Sequence, residues 1–278
     1  MYIDTKDYML YLTEPFIQLW KDKNPFRVIE HIDGEIFRAL EARKTVRFYL
    51  LGKGYFLKIH YGVGWLAIFG DLLRLRKPVL GAEDEYKAIR KLEQLSIATL
   101  SVAAYGKEHG NPARQQSFII THELTQTISL EDFCMDWAVT PAPFKLKKEL
   151  ITQVAGISRK LHCNGVNHRD FYLCHFLLHI PKGKDNVKAE SIKLWLIDLH
   201  RCQIRTATPR RWIIKDIAAL WFSALNIGLT KRDLYRFIRV YTQMPLREAF
   251  TQYHWLWQPL RKKKLKIYAR KLKKGDAI

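Results

Sequence analysis

Apolar and polar positions alternate over Gly54-Tyr55-Phe56-Leu57-Lys58-Ile59-His60, which predicts a strand with one lysine embedded in it. Upstream, the chain from Gly34 through Arg43-Lys44-Thr45 to Leu51 reads as strand, turn and strand. The period changes over 83–95, where Ile89, Leu92 and Leu95 fall at helical spacing behind a cluster of acids. Glu85 sits one turn before that stripe. Residues 116–120 return to a strand pattern and run into Thr121-His122-Glu123-Leu124. Ser129, followed by Glu131 and Asp132, marks a helix start. A longer helix is predicted from about 144 to 162, with Leu146, Leu150, Val154, Ile157 and Leu161 at helical spacing. A short apolar strand ends at Ile197, and Asp216-Ile217-Ala218-Ala219-Leu220-Trp221-Phe222 opens an apolar helix. The chain is therefore of mixed α+β class.

Chemistry enters with Asn167-His168-Arg169-Asp170-Phe171-Tyr172-Leu173-Cys174-His175 and with Ile197-Asp198-Leu199-His200. The first reads as a protein-kinase-like catalytic loop, the second as a strand delivering a metal-binding aspartate. Phosphoryl transfer needs one carboxylate to orient a hydroxyl and accept its proton, and others to hold the ion that neutralises phosphate charge. Asp170 and Asp198 suit those two tasks in that order. Lys58 stands where a kinase keeps its phosphate-holding lysine, and Glu85 can pair with it, Glu83 and Glu93 being the nearest rivals. Thr121, His122, Glu123 and Leu124 form a plausible hinge whose backbone reads an adenine edge. His168, Arg169 and Asp216 are the expected structural supports of the loop. This order predicts a bilobal protein-kinase-like fold. Residues 1–121 would form a small β-rich N-lobe and residues 122–278 a larger, mostly helical C-lobe.

The string from Gly165 to Leu178 resembles the lipopolysaccharide core heptose(I) kinases of the WaaP or RfaP type, as do residues 85–95 and 194–201. The resemblance covers nearly the whole chain. It implies transfer of the γ-phosphate of ATP to O-4 of the first heptose of the inner core. The implied acceptor is the lipid A–core glycolipid, and the implied place is the Gram-negative cytoplasm, peripheral to the inner membrane.

Several features depart from an ordinary protein kinase. His175 stands where asparagine is expected as the second metal ligand. Imidazole suits Mg2+ poorly, so His175 is either a ligand or a structural hydrogen-bonding residue of the loop. Neither Asp-Phe-Gly nor Gly-x-Gly-x-x-Gly occurs, and the short segment from Asp198 to Asp216 leaves little room for a phosphorylation-controlled loop. A small-molecule or glycolipid acceptor fits better than a protein.

The 278 residues, 48% of them hydrophobic, suffice for a two-lobed core. Cys134, Cys163, Cys174 and Cys202 show no metal-ligand spacing and are expected to be reduced thiols. No apolar run approaches the roughly 20 residues of a membrane span, and the N-terminus lacks a signal-peptide pattern.

Lys and Arg total 47 against 27 acids, a formal charge of +20, with a dense basic tail over 261–274. Such a tail attracts anionic surfaces, and the inner-membrane surface is the natural one for a kinase of an anionic glycolipid. A second membrane-facing candidate is 62–77, where large apolar residues precede basic ones. Arg210 and Arg211 are candidate contacts to acidic groups of the acceptor, because guanidinium grips carboxylate and phosphate bidentately. Tyr253, Trp255 and Trp257 either pack on the large lobe or line a sugar surface. An acidic or acyl-bearing companion is also compatible with so basic and aromatic a chain.

No nucleic-acid motif is present, so specific nucleic-acid recognition is not expected. Two alternatives stand: a related kinase with another small-molecule or protein acceptor, and a non-catalytic basic pseudokinase that serves as a binding module.

Overall fold

The computed structural model describes residues 1–40, 42–73, 78 and 80–260. They fall into two compact units, Met1–Lys91 with Thr99–Thr125, and Leu92–Ala98 with Gln126 onward.

The first unit is built on an antiparallel sheet. Its strands are β1 (Tyr2–Asp4), β2 (Tyr8–Leu12), β3 (Glu35–Leu40), β4 (Arg43–Leu50), β5 (Lys53–His60), β6 (Val102–Glu108) and β7 (Ser117–His122), in the order β1-β2-β6-β7-β5-β4-β3. The alternation seen in the sequence is the pleat of β5. Tyr55, Leu57 and Ile59 are buried on one face, and Lys58 points to the other in register with Thr45 and Ile119. Under the buried face lie two short helices, α1 (Phe16–Leu19) and α2 (Pro25–Glu30). Phe16, Trp20 and Phe26 from this region meet Tyr55 and Phe118 edge to face. Helix α3 (Gly64–Leu73) follows β5, and α4 (Glu83–Gln94) carries Ala88, Ile89 and Leu92 on its buried stripe.

The second unit holds β8 (Thr127–Ser129), α5 (Leu130–Phe133), α6 (Phe144–Cys163), β9 (Val166–Asn167), β10 (Phe176–His179), β11 (Leu194–Leu196), β12 (Gln203–Ile204), α7 (Arg210–Ser223), α8 (Lys231–Thr242) and α9 (Leu246–Gln252). β10 lies between β11 and β8, and β9 pairs with β12. The Ser129 side chain caps α5 by accepting from the Asp132 N–H, although that helix is only one turn long. Gly165 turns the chain from α6 into β9 at φ +76°, and its carbonyl accepts from Arg205 N–H at 2.9 Å. A second core packs Ile217 and Ala218 of α7 against Tyr241, Leu256 and Leu260.

Two expectations change, and one alternative is decided in favour of packing. β7 runs through His122, so Thr121 and His122 are strand residues and not part of a hinge beyond the strand. Helix α7 begins at Arg210 behind Pro209, whose fixed φ of −61° leads the chain into the first turn, so Asp216 lies in mid-helix and does not open it. Tyr253, Trp255 and Trp257 pack with Tyr241 and one another, and Trp257 Nε1 donates to Ala249 O at 3.0 Å. The basic tail from 261 lies outside the described residues. All four cysteines are free thiols.

Candidate active site

The loop after β9 is held from beneath. Asp216, fully buried in α7, accepts from the backbone N–H groups of His168 at 2.6 Å and Arg169 at 2.9 Å. Charge-assisted bonds to a buried carboxylate fix the loop strongly. Arg169 takes a left-handed φ of +75°, which turns the chain so that Asp170 emerges with its side chain about one-fifth exposed.

His168 is completely buried, and its Nε2 meets the carbonyl of Ile197 at 3.0 Å. Burial, the largest influence, pushes its pKa down, so the ring stays neutral with its proton on Nε2. It thereby ties the catalytic loop to the residue that precedes Asp198.

Asp198 sits in the left-handed region at φ 62°, where β11 breaks into a tight turn over Leu199–Arg201. Its Oδ1 accepts from His200 Nδ1 at 2.6 Å, and its Oδ2 lies 3.3 Å from His175 Nε2. His175 Nδ1 meets the carbonyl of Asp170 at 2.6 Å. A carbonyl only accepts, so Nδ1 carries a proton and Nε2 is left facing the Asp198 carboxylate. His175 therefore makes the structural hydrogen bond to the loop.

Among the described residues no group of three or more His, Cys, Asp or Glu forms a metal cage. Mg2+ needs none, since it is held by one or two carboxylates together with substrate phosphates and keeps several waters. Asp198, about one-third exposed, with one oxygen held by His200 and the other 3.3 Å from His175 Nε2, fits that requirement.

Two residues of this region were not singled out from the sequence. His200 orients Asp198. Arg201 Nη1 lies 2.8 Å and 2.9 Å from the two oxygens of Asp170. Both stand in the Asp-Leu-His-Arg string, but only the tight turn over Leu199–Arg201 shows where their side chains go.

In the first unit, Lys58 Nζ lies 2.5 Å from Oε1 of Glu85, which is fully buried at the start of α4. The rival Glu83 is taken by Lys87 and Lys107, which outweigh burial and hold its carboxyl below the usual range. At the adenine-edge candidates, His122 N–H donates to Ser101 O and Glu123 N–H to Gly54 O, each at 2.9 Å. The side chain of Glu123 is paired with Arg47 at 2.6 Å, and His122 leans on Tyr55. A ligand at this edge does not find those two N–H donors available.

Arg210 and Arg211, at the start of α7, are exposed and lie over tryptophans, Arg210 4.9 Å from the Trp255 ring centre and Arg211 5.7 Å from that of Trp212.

The antiparallel sheet with its lysine–glutamate pair, and the helical unit with its Asp216-supported loop, define a protein-kinase-like phosphotransferase. The family model described as "Lipopolysaccharide kinase (Kdo/WaaP) family" matches residues 29–241, and the chain belongs to that family. It is 48% identical over 269 residues to the lipopolysaccharide core heptose(I) kinase WaaP of Pseudomonas aeruginosa, covering 97% of this chain and 99% of that one. It is 47% identical over 268 residues to the WaaP of Escherichia coli, covering 96% and 100%. A solved structure described as "WaaP in complex with acyl carrier protein" superposes with a TM-score of 0.81 at 45% identity, covering 93% and 99%.

Proposed function

We propose that the chain phosphorylates the first heptose of the lipopolysaccharide inner core at O-4, with ATP as donor and lipid A–core as acceptor. The observation that carries the reading is the Asp170 carboxylate, presented by a loop that Asp216 pins and beside which Asp198 is oriented by His200. The named activity of relatives 47% and 48% identical over almost their full length supplies the acceptor.

The chemistry follows from the residues. Lys58, kept in place by Glu85, holds the α- and β-phosphates of ATP, while the strand end and turn from Thr121 to Leu124 border the adenine. Asp198 would hold Mg2+, with His200 orienting its carboxylate. Bound there with nucleotide, the ion would neutralise phosphate charge. Asp170 orients the sugar hydroxyl. As the new O–P bond forms and the bond from the γ-phosphorus to the bridging oxygen breaks, ADP leaves and Asp170 takes the hydroxyl proton. The transition state is loose, so the proton moves late and no strongly basic carboxylate is needed. Arg210 and Arg211 meet the acidic groups of the acceptor.

Two partner readings accompany this one. Among the described residues no helix is long and apolar enough to cross a membrane. The enzyme meets the cytoplasmic face of the inner membrane through its basic tail and through α3, whose Leu66 and Leu73 are 92% and 85% exposed. An acyl-bearing companion such as an acyl carrier protein places its chain in an apolar cavity of about 270 Å³ in the second unit. That cavity is lined by Leu150, Leu173, Leu220, Phe237, Ile238 and Trp257 among others. Support comes from the apolar lining and from the companion named in the solved structure.

The test is transfer of label from γ-labelled ATP to purified lipid A–core lacking heptose phosphate. Label with the native chain and none with Asp170→Ala is expected. Label on another sugar, or equal label with both proteins, would reject the reading.

A further inference from the structure

The catalytic loop brings no cation of its own to the reacting centre. Between Asp170 and Ile180 there is neither lysine nor arginine, and Arg169 is committed elsewhere. Its guanidinium lies 5.5 Å from the Trp212 ring centre, and the residue is 9% exposed. Yet the γ-phosphoryl group carries charge on three oxygens through the transition state, and each needs positive partners in place beforehand.

One cation does stand at the right atom. Arg201 comes from the turn that follows Asp198, and its Nη1 sits nearly equidistant from both Asp170 oxygens, at 2.8 Å and 2.9 Å. The Nη1 amino group, donating to both oxygens, closes the mouth of the carboxylate, on the side where a hydroxyl would hand over its proton. Asp170 is the ion-pair partner of Arg201, whose side chain is 39% exposed.

Further cations, Lys215 and Arg169, lie close by, with Asp170 and Asp216 as carboxylates among them. Lys215 Nζ lies 4.9 Å from the same Trp212 ring centre. Burial, and after it Arg169 and Arg201, hold the Lys215 pKa below its usual value.

We infer that Arg201 is the cation that grips the transferred phosphoryl group, closing the Asp170 carboxylate at rest and releasing it when nucleotide draws the guanidinium away. The inference rests on the kinase reading above. It makes the base available to a hydroxyl only when the phosphoryl group is in place, and it carries one guanidinium from proton acceptor to phosphate without a second loop. Arginine suits this exchange because its planar fork matches both carboxylate and phosphate.

The experiment compares native chain, Arg201→Lys and Arg201→Gln in two assays. In label transfer to lipid A–core, Arg201→Gln is expected to lower kcat by about 10²–10³-fold. Its KM for ATP should stay within about threefold, Arg201→Lys should be intermediate, and added guanidinium ion should restore at least about tenfold of the Arg201→Gln rate. The second assay needs no acceptor. It measures binding of Mg2+–ADP with and without aluminium fluoride, a planar mimic of the phosphoryl group, and Arg201→Gln should lose the fluoride-dependent gain while binding ADP normally.

Turnover and fluoride-dependent binding both at the native level in Arg201→Gln would overturn the inference. So would loss of ADP binding and thermal stability with no guanidinium rescue, because that is a structural role. A native chain that fails to label lipid A–core, yet binds the fluoride complex in an Arg201-dependent way, would refute the acceptor assignment and support the role of Arg201.

Discussion

Lys58 Nζ lies 2.5 Å from Glu85 Oε1, while Glu85 Oε2 is buried with no hydrogen-bond partner among the described residues. The pair is therefore asymmetric: the ammonium is 14% exposed and the carboxylate not at all. Removing the lysine strands a buried charge, whereas removing both charges does not. Lys58→Ala should destabilise the protein by about 3–5 kcal/mol, and Lys58→Met with Glu85→Leu should regain most of that without regaining transfer. Urea unfolding and the label assay on the three proteins check this. A double variant no more stable than Lys58→Ala would show that the pair stabilises by more than mutual compensation.

Asp170 and Asp198 should separate cleanly by kinetics. Asp170→Ala is expected to lower turnover by several orders of magnitude with nucleotide affinity largely intact, because its bonds are to Arg201 and not to a metal-holding group. Asp198→Ala should instead weaken Mg2+–nucleotide binding, since its partly exposed carboxylate, oriented by His200, is the group that would hold the ion. Titration calorimetry with a non-hydrolysable ATP analogue distinguishes the two. Equal loss of affinity in both variants would make Asp170 a metal ligand or a structural residue.

The frame of this site was legible because its pieces are contiguous in the chain. Lys58 lies in an alternating strand, Glu85 one turn ahead of a helical stripe, and Asp170 and Asp198 in short distinctive strings, and each pattern fixes local geometry. What stayed hidden depends on side chains meeting across turns. Arg201 reaches Asp170 over 31 residues of sequence, through a left-handed Asp198 and a tight turn that no periodicity announces. The start of α7 differs from the sequence expectation because an aspartate before an apolar run looks like a helix opening. Here its carboxylate faces the backbone N–H groups of His168 and Arg169, and the helix starts earlier, at Arg210.

His168 gives the stability a pH dependence of predictable sign. Its native pKa lies below the ordinary 6.5 because the ring is fully buried, so the unfolded chain binds a proton that the folded one refuses. Stability is then fully present above about pH 6.5 and declines as the pH falls from there toward the native pKa. Chemical denaturation at several pH values should show that slope, and His168→Gln, which keeps a donor toward Ile197 O, should flatten it. An unchanged slope in the variant would place the titration elsewhere.

The apolar cavity of the second unit makes a separate prediction. An acyl chain that fills it in the folded state alone must raise the melting temperature with concentration, by the ordinary linkage of binding to folding. Acyl-loaded carrier protein should therefore stabilise the chain, and carrier without its acyl group should do so far less. Ala224→Phe, which places a ring into the lining, should abolish the difference. Equal stabilisation by both carrier forms would move the contact to the surface and leave the cavity without that role.

The outward face of α3 bears on where the enzyme works. Trp65, Leu66, Phe69, Leu72 and Leu73 are all exposed, and at about 100° per residue they form a single stripe roughly 120° wide, while Ile68 turns inward and is buried. Trp65 and Phe69 stack on that stripe with ring centres 5.7 Å apart. An amphipathic helix with its apolar side outward gains by burying that side at a lipid interface. The sequence that follows, Arg74-Leu75-Arg76-Lys77, lies outside the described residues and carries three cations of the kind anionic headgroups attract. Leu66→Glu with Leu73→Glu should release the protein from anionic vesicles at moderate salt, where screening has already weakened the attraction of the +20 chain. It should leave transfer to detergent-dispersed lipid A–core unchanged, because neither residue belongs to the phosphate-holding or catalytic residues. Co-sedimentation in a salt series measures the first effect and the label assay the second. Vesicle binding that persists in the double variant and disappears only with salt would assign the membrane contact to charge alone.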